Sequence, residues 1–254
     1  MKYLLTTLLI VFLSNFSFGT DTDIIVRAKA KDAKFIGSSI GGAFVIIKEK
    51  LTGEILAKGK TEGSTGNTNL IMNTPKERYS SISEESTAKF MATIDIDEPL
   101  FVTIEVYAPE NKKMARVNAS TELWLIPGKH ILGDGVVVEI PGFVVDILGP
   151  RTHQYIPLET VRNEPLKLQA NIVMMCGCPI SEGGLWYSEP MEVKAIVKID
   201  GKTVTDISLK NVSTNLFEAD MNIQSSGQYE LIVYAYDSRT GNTGVDKVNY
   251  VITE

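Results

Sequence analysis

From about residue 20 to its end the chain alternates apolar and polar residues in short runs. Phe90, Ala92 and Ile94 interleave with Met91, Thr93 and Asp95, and Val102, Ile104 and Val106 with Thr103, Glu105 and Tyr107. A period of two puts one set on the core face of a strand and the other toward water. The predicted strands of the first half are Asp23–Ala30, Ala43–Ile47, Ile55–Thr61, Lys89–Ile96, Phe101–Ala108, Met114–Ser120, Leu123–Ile126 and Gly135–Ile140. Pro141-Gly142 then breaks the pattern. The second half predicts Phe143–Leu148, Leu166–Met174, Val193–Ile199, Lys202–Leu209, Leu216-Phe217, Met221–Ile223, Gln228–Tyr236 and Val245–Ile252. Many short strands with frequent Gly, Pro and Asn turns predict an all-β chain of two consecutive β-sandwich domains, 20–142 and 143–254, joined by a short linker and packed end to end. Glu62 to Ser86 is polar apart from Leu70-Ile71-Met72 and predicts a mobile loop or an extra hairpin.

Composition adds an address. Lys2, the apolar run Tyr3–Leu13 and the small-x-small step Ser17-Phe18-Gly19 have the order of a secretory signal peptide, residues 1–19. The apolar run is shorter than the roughly 20 residues a membrane span needs. No later segment is apolar enough to span, so the mature chain is expected to carry no transmembrane segment. Removing Lys2 with the leader leaves 24 Lys+Arg against 31 Asp+Glu. An acidic exported chain without a basic run is a poor fit to nucleic acid or anionic lipid. The expected location is the periplasm or the extracellular cell surface, and the expected partner is another exported or membrane protein.

Two stretches carry family likenesses. Ala43–Ile47, the turn Leu51-Thr52-Gly53-Glu54 and Ile55–Thr61 resemble the opening hairpin of a transthyretin-like or carboxypeptidase-regulatory-like sandwich. The polar stretch after Thr61 departs from that pattern. Gly227-Gln228-Tyr229, the strand through Tyr236-Asp237, and Gly241-Asn242 resemble the end of bacterial immunoglobulin-like or fibronectin-like modules. That second likeness covers most of 143–254 and implies a fold, not an activity.

The chemistry gathers at Met174-Met175-Cys176-Gly177-Cys178-Pro179, which holds both cysteines and two of the eight methionines. Strand parity carried past Met174 puts Cys176 and Cys178 on its side and Met175 opposite. Alternate Cα atoms of an extended strand stand about 6.6 Å apart, at the limit for a disulfide. Gly177 can take a positive φ and close the pair, and Pro179 is expected to stop the strand. Three states are open. The cysteines form a local disulfide, which an exported chain permits. Alternatively, as thiolates they hold a soft metal, copper above all, with Met175 or Met174 as a thioether ligand. The third state is two inert buried residues with methionines filling the core. Trp186 is either a cap on a bound ion or a packing residue.

Other candidates are thinner. Asp95, Asp97 and Glu98 fit either a Ca²⁺ site or a solvated turn, and the turn is the preferred reading. His130 lies in the turn after Pro127, and His153 reaches the cysteines only if the fold brings it there. Two histidines without a nucleophile constellation, no phosphate loop and no zinc motif argue against an enzyme. The expected function is a non-enzymatic binding or accessory protein with a copper-type site. Its rivals are a structural or adhesin-type module with a local disulfide, and a thiol–disulfide exchange partner. The leader itself is directly testable. N-terminal sequencing of the exported protein should begin near Thr20, and a chain that still begins at Met1 would remove the oxidising-compartment argument.

Overall fold

The structure, a computed structural model, describes residues 19–254; the signal-peptide reading of the preceding residues lies outside them. Seven strands build the first sandwich: β1 (Thr20–Ala30), β2 (Phe44–Glu49), β3 (Ile55–Lys60), β4 (Phe90–Ile96), β5 (Leu100–Ala108), β6 (Val117–Leu125) and β7 (Ile131–Ile140). They form two sheets, β4-β1-β7 and β3-β2-β5-β6. Met114–Ser120 and Leu123–Ile126, expected as separate strands, belong largely to the single strand β6, whose polar Thr121 and Glu122 continue the alternation. The first and last strands, β1 and β7, pair in parallel.

The second sandwich comprises β8 (Phe143–Gly149), β9 (Tyr155–Pro157), helix α1 (Leu158–Arg162), β10 (Leu166–Met174), β11 (Ile180–Ser181), β12 (Trp186–Tyr187), β13 (Met191–Ile199), β14 (Lys202–Ser208), β15 (Lys210–Ser213), β16 (Leu216–Met221), β17 (Gly227–Asp237) and β18 (Asn242–Thr253). Its sheets run β15-β16-β10-β8 and β14-β13-β17-β18-β9, and β11 and β12 form a small ladder of their own. This is the strand order of an immunoglobulin-type sandwich, with β10 and β16 facing β13 and β17. Tyr229, near the start of β17, donates its hydroxyl to the Ser225 carbonyl at 2.8 Å, the corner that pins such a strand to the preceding turn. Buried side chains alternate along β10, β13 and β17, from Leu168, Ala170 and Ile172 to Leu231, Val233 and Ala235. Among the described residues no helix is long and apolar enough to cross a membrane.

The segment between β3 and β4 is tethered and adds no hairpin. It explains why β1 breaks the alternation rule: residues 24–28 are all buried. Ile24, Val26 and Ala28 face the core, while Ile25 and Arg27 face outward and are covered by this segment. Glu62 pairs with Lys89, Ser64 with Thr87, and Ile71 is buried. The outer clamp is Asp134. Between Ile24↔Ile131 and Val26↔Val136 one residue of β1 faces four of β7. The bulge needs Gly135 at φ 66, where a Cβ would stand 2.2 Å from the Ile25 carbonyl oxygen. It presents the Asp134 carboxylate to the loop, where it accepts the hydroxyls of Ser81 and Ser83, each at 2.5 Å, and the amides of Ile82 and Ser83 at 2.9 and 3.0 Å.

Burial pushes the Asp134 carboxyl up, but the Ser81 and Ser83 bonds outweigh it and hold the group below its ordinary 3.8. A depressed carboxylate gives stability that is complete above its unfolded pKa and lost as pH falls through the lower folded value. Protection of the Ile82 and Ser83 amides against exchange should therefore persist down to about pH 4 and fall below it. Residues 73–80 are exposed, so trypsin should cut first after Lys76 or Arg78. Asp134→Ala should cost about 2 kcal/mol locally and speed that cleavage at least several-fold; an unchanged rate would show that the clamp does not hold the loop.

Candidate functional site

Strand β10 delivers the sulfur-rich turn to the place where the two sandwiches meet. The strand ends at Met174, and the chain reverses instead of running on to Pro179. The Gly177 amide donates to the Met174 carbonyl at 2.7 Å, and the Met174 amide to the Cys178 carbonyl at 3.1 Å. Gly177 has φ 77. A three-residue loop closed by a glycine in left-handed geometry is a tight hairpin with a bulge. Pro179 then lies opposite Val173. The parity expectation fails for this reason: alternation holds for an extended strand, and this strand turns one residue after Met174. The expectation for Gly177 holds. Its turn brings the Cys176 and Cys178 Cα atoms to 5.4 Å, with the two sulfurs at disulfide distance.

All four sulfur residues are buried: Met174 3%, Met175 1%, Cys176 1% and Cys178 4% exposed. Met174 pairs with Phe143 across β8 and packs in the core. Met175 reaches the linker, its Cε 3.1 Å from where a Gly142 Cβ would stand. A Cβ on Gly177 would meet Ile40 of the first sandwich at 3.5 Å. The turn is therefore a wedge in the seam between the sandwiches.

Polar bonds pin the same seam. Asn242 is fully buried; its Oδ1 accepts the Gly142 amide at 2.8 Å and its Nδ2 donates to the Lys31 carbonyl at 3.1 Å. The Trp186 indole N–H donates to the Asp32 carbonyl at 2.8 Å, so Trp186 is a packing and pinning residue of the seam. Lys112 pairs with Asp146 at 2.7 Å across the same joint. Beside Trp186, Asp237 accepts the Arg239 Nε and Nη2 at 3.0 and 2.9 Å, and the Arg239 guanidinium lies 4.1 Å over the Tyr187 ring. Burial pushes the Asp237 carboxyl up, but the Arg239 bonds outweigh it and hold it low. The Asp32 carboxyl is pushed up by burial and by the Asp237 charge. These residues, with Met174 and Phe143, line a small cavity of about 40 Å³.

The remaining candidates lie elsewhere. His153 precedes β9, which pairs with Val251 at the far end of β18. Asn242 marks the seam end, nine residues or about 30 Å away. His130 accepts the Asp23 amide at Nδ1, 3.0 Å. Asp95, Asp97 and Glu98 are exposed. Among the described residues, no group of three or more His, Cys, Asp and Glu side chains is placed to hold a metal ion. Of the seam residues, Asp237 and Asn242 entered the sequence reading only through the module-end likeness, with no sign of their burial, and Asp32 and Arg239 carried no signal.

No family model matches the chain, and no curated protein matches it. Among solved structures, an engineered protein (Northeast Structural Genomics Consortium target OR128) is 15% identical over 48% of this chain, with a TM-score of 0.33. The chain spans 22% of that protein's length. The fibronectin(III)-like modules of Clostridium thermocellum CbhA are 11% identical, with a TM-score of 0.26, over 92% of this chain and 94% of theirs. The fold class rests on the strand order described above: an all-β chain of two sandwiches.

Asn242→Ala would leave the Gly142 amide and the Lys31 carbonyl unpaired in a buried seam. We expect a loss of about 2–4 kcal/mol in urea unfolding. A loss within about 0.5 kcal/mol, the range of an ordinary surface substitution, would show that the carboxamide does not tie the sandwiches together.

Proposed function

We propose that the chain is an exported, non-enzymatic structural module of the cell surface or periplasm, of scaffold or adhesin type, in which the Cys176–Cys178 disulfide fixes a turn that sets the two sandwiches against each other. One observation carries this reading: the disulfide turn sits in the seam, buried against Ile40 and Gly142. Catalysis of thiol exchange requires attack on an accessible sulfur, and both cysteines are at most 4% exposed. A copper site would need the cysteines as separate thiolates, and the short distance between their sulfurs favours the disulfide reading. For the first sandwich we adopt the transthyretin-like reading, supported by its Leu51–Glu54 hairpin and by its two-sheet arrangement.

The purified exported protein should be about 2 Da lighter than its reduced form, the mass of two hydrogens, and should resist alkylation until unfolded. The double change Cys176→Ser with Cys178→Ser should cost roughly 1–2 kcal/mol from loop entropy, plus any loss of packing, without abolishing the fold. Isolation with free thiols, and uptake of one Cu(I) per chain against a competing chelator, would replace this reading with the metal one. Met175→Leu would then weaken the uptake.

A further inference from the structure

The outer face of the sheet β3-β2-β5-β6 carries an aromatic pair at the end of a polar row. Residues 118, 120, 122 and 124 of β6 alternate outward and are exposed. Each stands opposite an outward residue of β5: Asn118 opposite Tyr107, Ser120 opposite Glu105, Glu122 opposite Thr103, and Trp124 opposite Phe101. Trp124 is 60% exposed. Its ring centroid lies 5.0 Å from that of Phe101, with the planes 39° apart. A cross-strand aromatic pair stabilises a sheet, but most of the Trp124 surface stays in water and gains nothing from burial. A single exposed apolar residue needs no explanation, whereas an exposed aromatic pair rimmed by polar groups fits a binding surface.

The charges beside the pair are already matched. Lys50 donates to Glu122 Oε1, which also accepts the Thr103 hydroxyl at 3.2 Å. Lys48 donates to both oxygens of Glu105 at 2.8 and 2.9 Å. The other lysines of this face, Lys58 and Lys60, lie on β3 opposite Ile46 and Phe44, at least two strand spacings or about 10 Å from the aromatic pair. What remains free is hydrogen-bonding capacity. An ammonium has three donors, and Lys50 uses one of them on Glu122. Glu122 Oε2, the Ser120 hydroxyl, the Asn118 carboxamide and the Trp124 indole N–H have no partner among the described residues, and all four side chains are exposed. We propose that this face binds a neutral carbohydrate chain, with Trp124 and Phe101 as the platform on which a sugar ring stacks. The negative face of an aromatic ring attracts the C–H groups on the flat side of a sugar. The hydroxyls at the rim of that sugar both donate and accept, as the free groups here require. A charged ligand finds no unpaired charge at the platform. An apolar partner would bury the Lys50–Glu122 pair against a desolvation penalty. The row from Phe101 to Tyr107 rises about 20 Å, room for several sugar rings. The site lies on the first sandwich and does not rest on the reading of the sulfur turn.

The test is acrylamide quenching of tryptophan fluorescence in the whole mature protein, titrated with cellohexaose, maltohexaose, mannohexaose and chitohexaose. A galacturonic acid hexamer at matched ionic strength is the charged arm. Trp186 is 9% exposed and already shielded, so the quenchable signal is that of Trp124. At least one neutral hexasaccharide should protect it saturably. In NMR the Trp124 indole N–H should move on the same isotherm while that of Trp186 stays in place. Read by calorimetry, Trp124→Ala should weaken binding at least about tenfold and Ser120→Ala roughly two- to tenfold. If Trp124→Ala does not fold, the wild-type NMR titration still decides. The proposal is overturned if no neutral hexasaccharide protects Trp124, or if a folded Trp124→Ala binds as tightly as the wild type. Tighter protection by the galacturonic acid hexamer overturns the neutral assignment. A dimer in sedimentation that Trp124→Ala dissociates would give the face to a second copy of this chain, and overturns the proposal as well.

Discussion

Pro141 and Gly142 are the whole of the link between β7 and β8. Two residues cannot hold two sandwiches apart, so their facing ends must touch, and whatever lies there must be apolar or hydrogen-bonded. The seam satisfies both demands. Ile40, Phe143, Met174, Met175 and Trp186 bury apolar surface in one core cluster that runs through both sandwiches. Asn242 satisfies the backbone groups that this contact would otherwise strand. Gly142 itself has φ 116, and a Cβ there would stand 2.8 Å from the Thr243 carbonyl oxygen. The joint is thus a packed element of the core, not a hinge.

The sulfur turn belongs to that joint before it belongs to any chemistry. A hairpin loop ordinarily lies in water, where polar residues suit it. This one carries two methionines and two cysteines because it points into the seam. The close approach of Cys176 and Cys178 makes the loop a compact wedge, and the flexible Met175 side chain fills the irregular space beside the linker. Sequence chemistry that resembles a ligand set can therefore arise from packing, when a loop is folded into an interface.

Much of the architecture was legible from alternation alone. The row Leu166 to Met174 is the strand β10, and Asp200-Gly201 is the turn between β13 and β14. What alternation cannot show is a contact between distant segments. Arg27 sits inside an apolar run and reads as an outward residue, yet the segment after Thr61 covers it. That segment reads from its polar sequence as a mobile loop or an extra hairpin. Its order comes from Asp134, some fifty residues later, and from a bulge that only the paired β1 and β7 define. The turn at Gly177 was legible because glycine has a backbone meaning of its own; Asn242 was not, because a Gly-Asn pair reads as an exposed turn and its carboxamide is buried only through Lys31 and Gly142.

The parallel pairing of β1 with β7 bears on how the first sandwich is assembled. Ile24 lies between Ala92 on one side and Ile131 on the other, so β1, which precedes both partners in the chain, is central to its sheet and waits for both neighbours. Closing such long loops carries an entropic cost before any contact repays it. Until β7 arrives, the apolar stretch from Ile24 to Val26 has an open edge capable of pairing with another chain. Whatever shields that edge during folding bears on how much of the chain folds and how much aggregates.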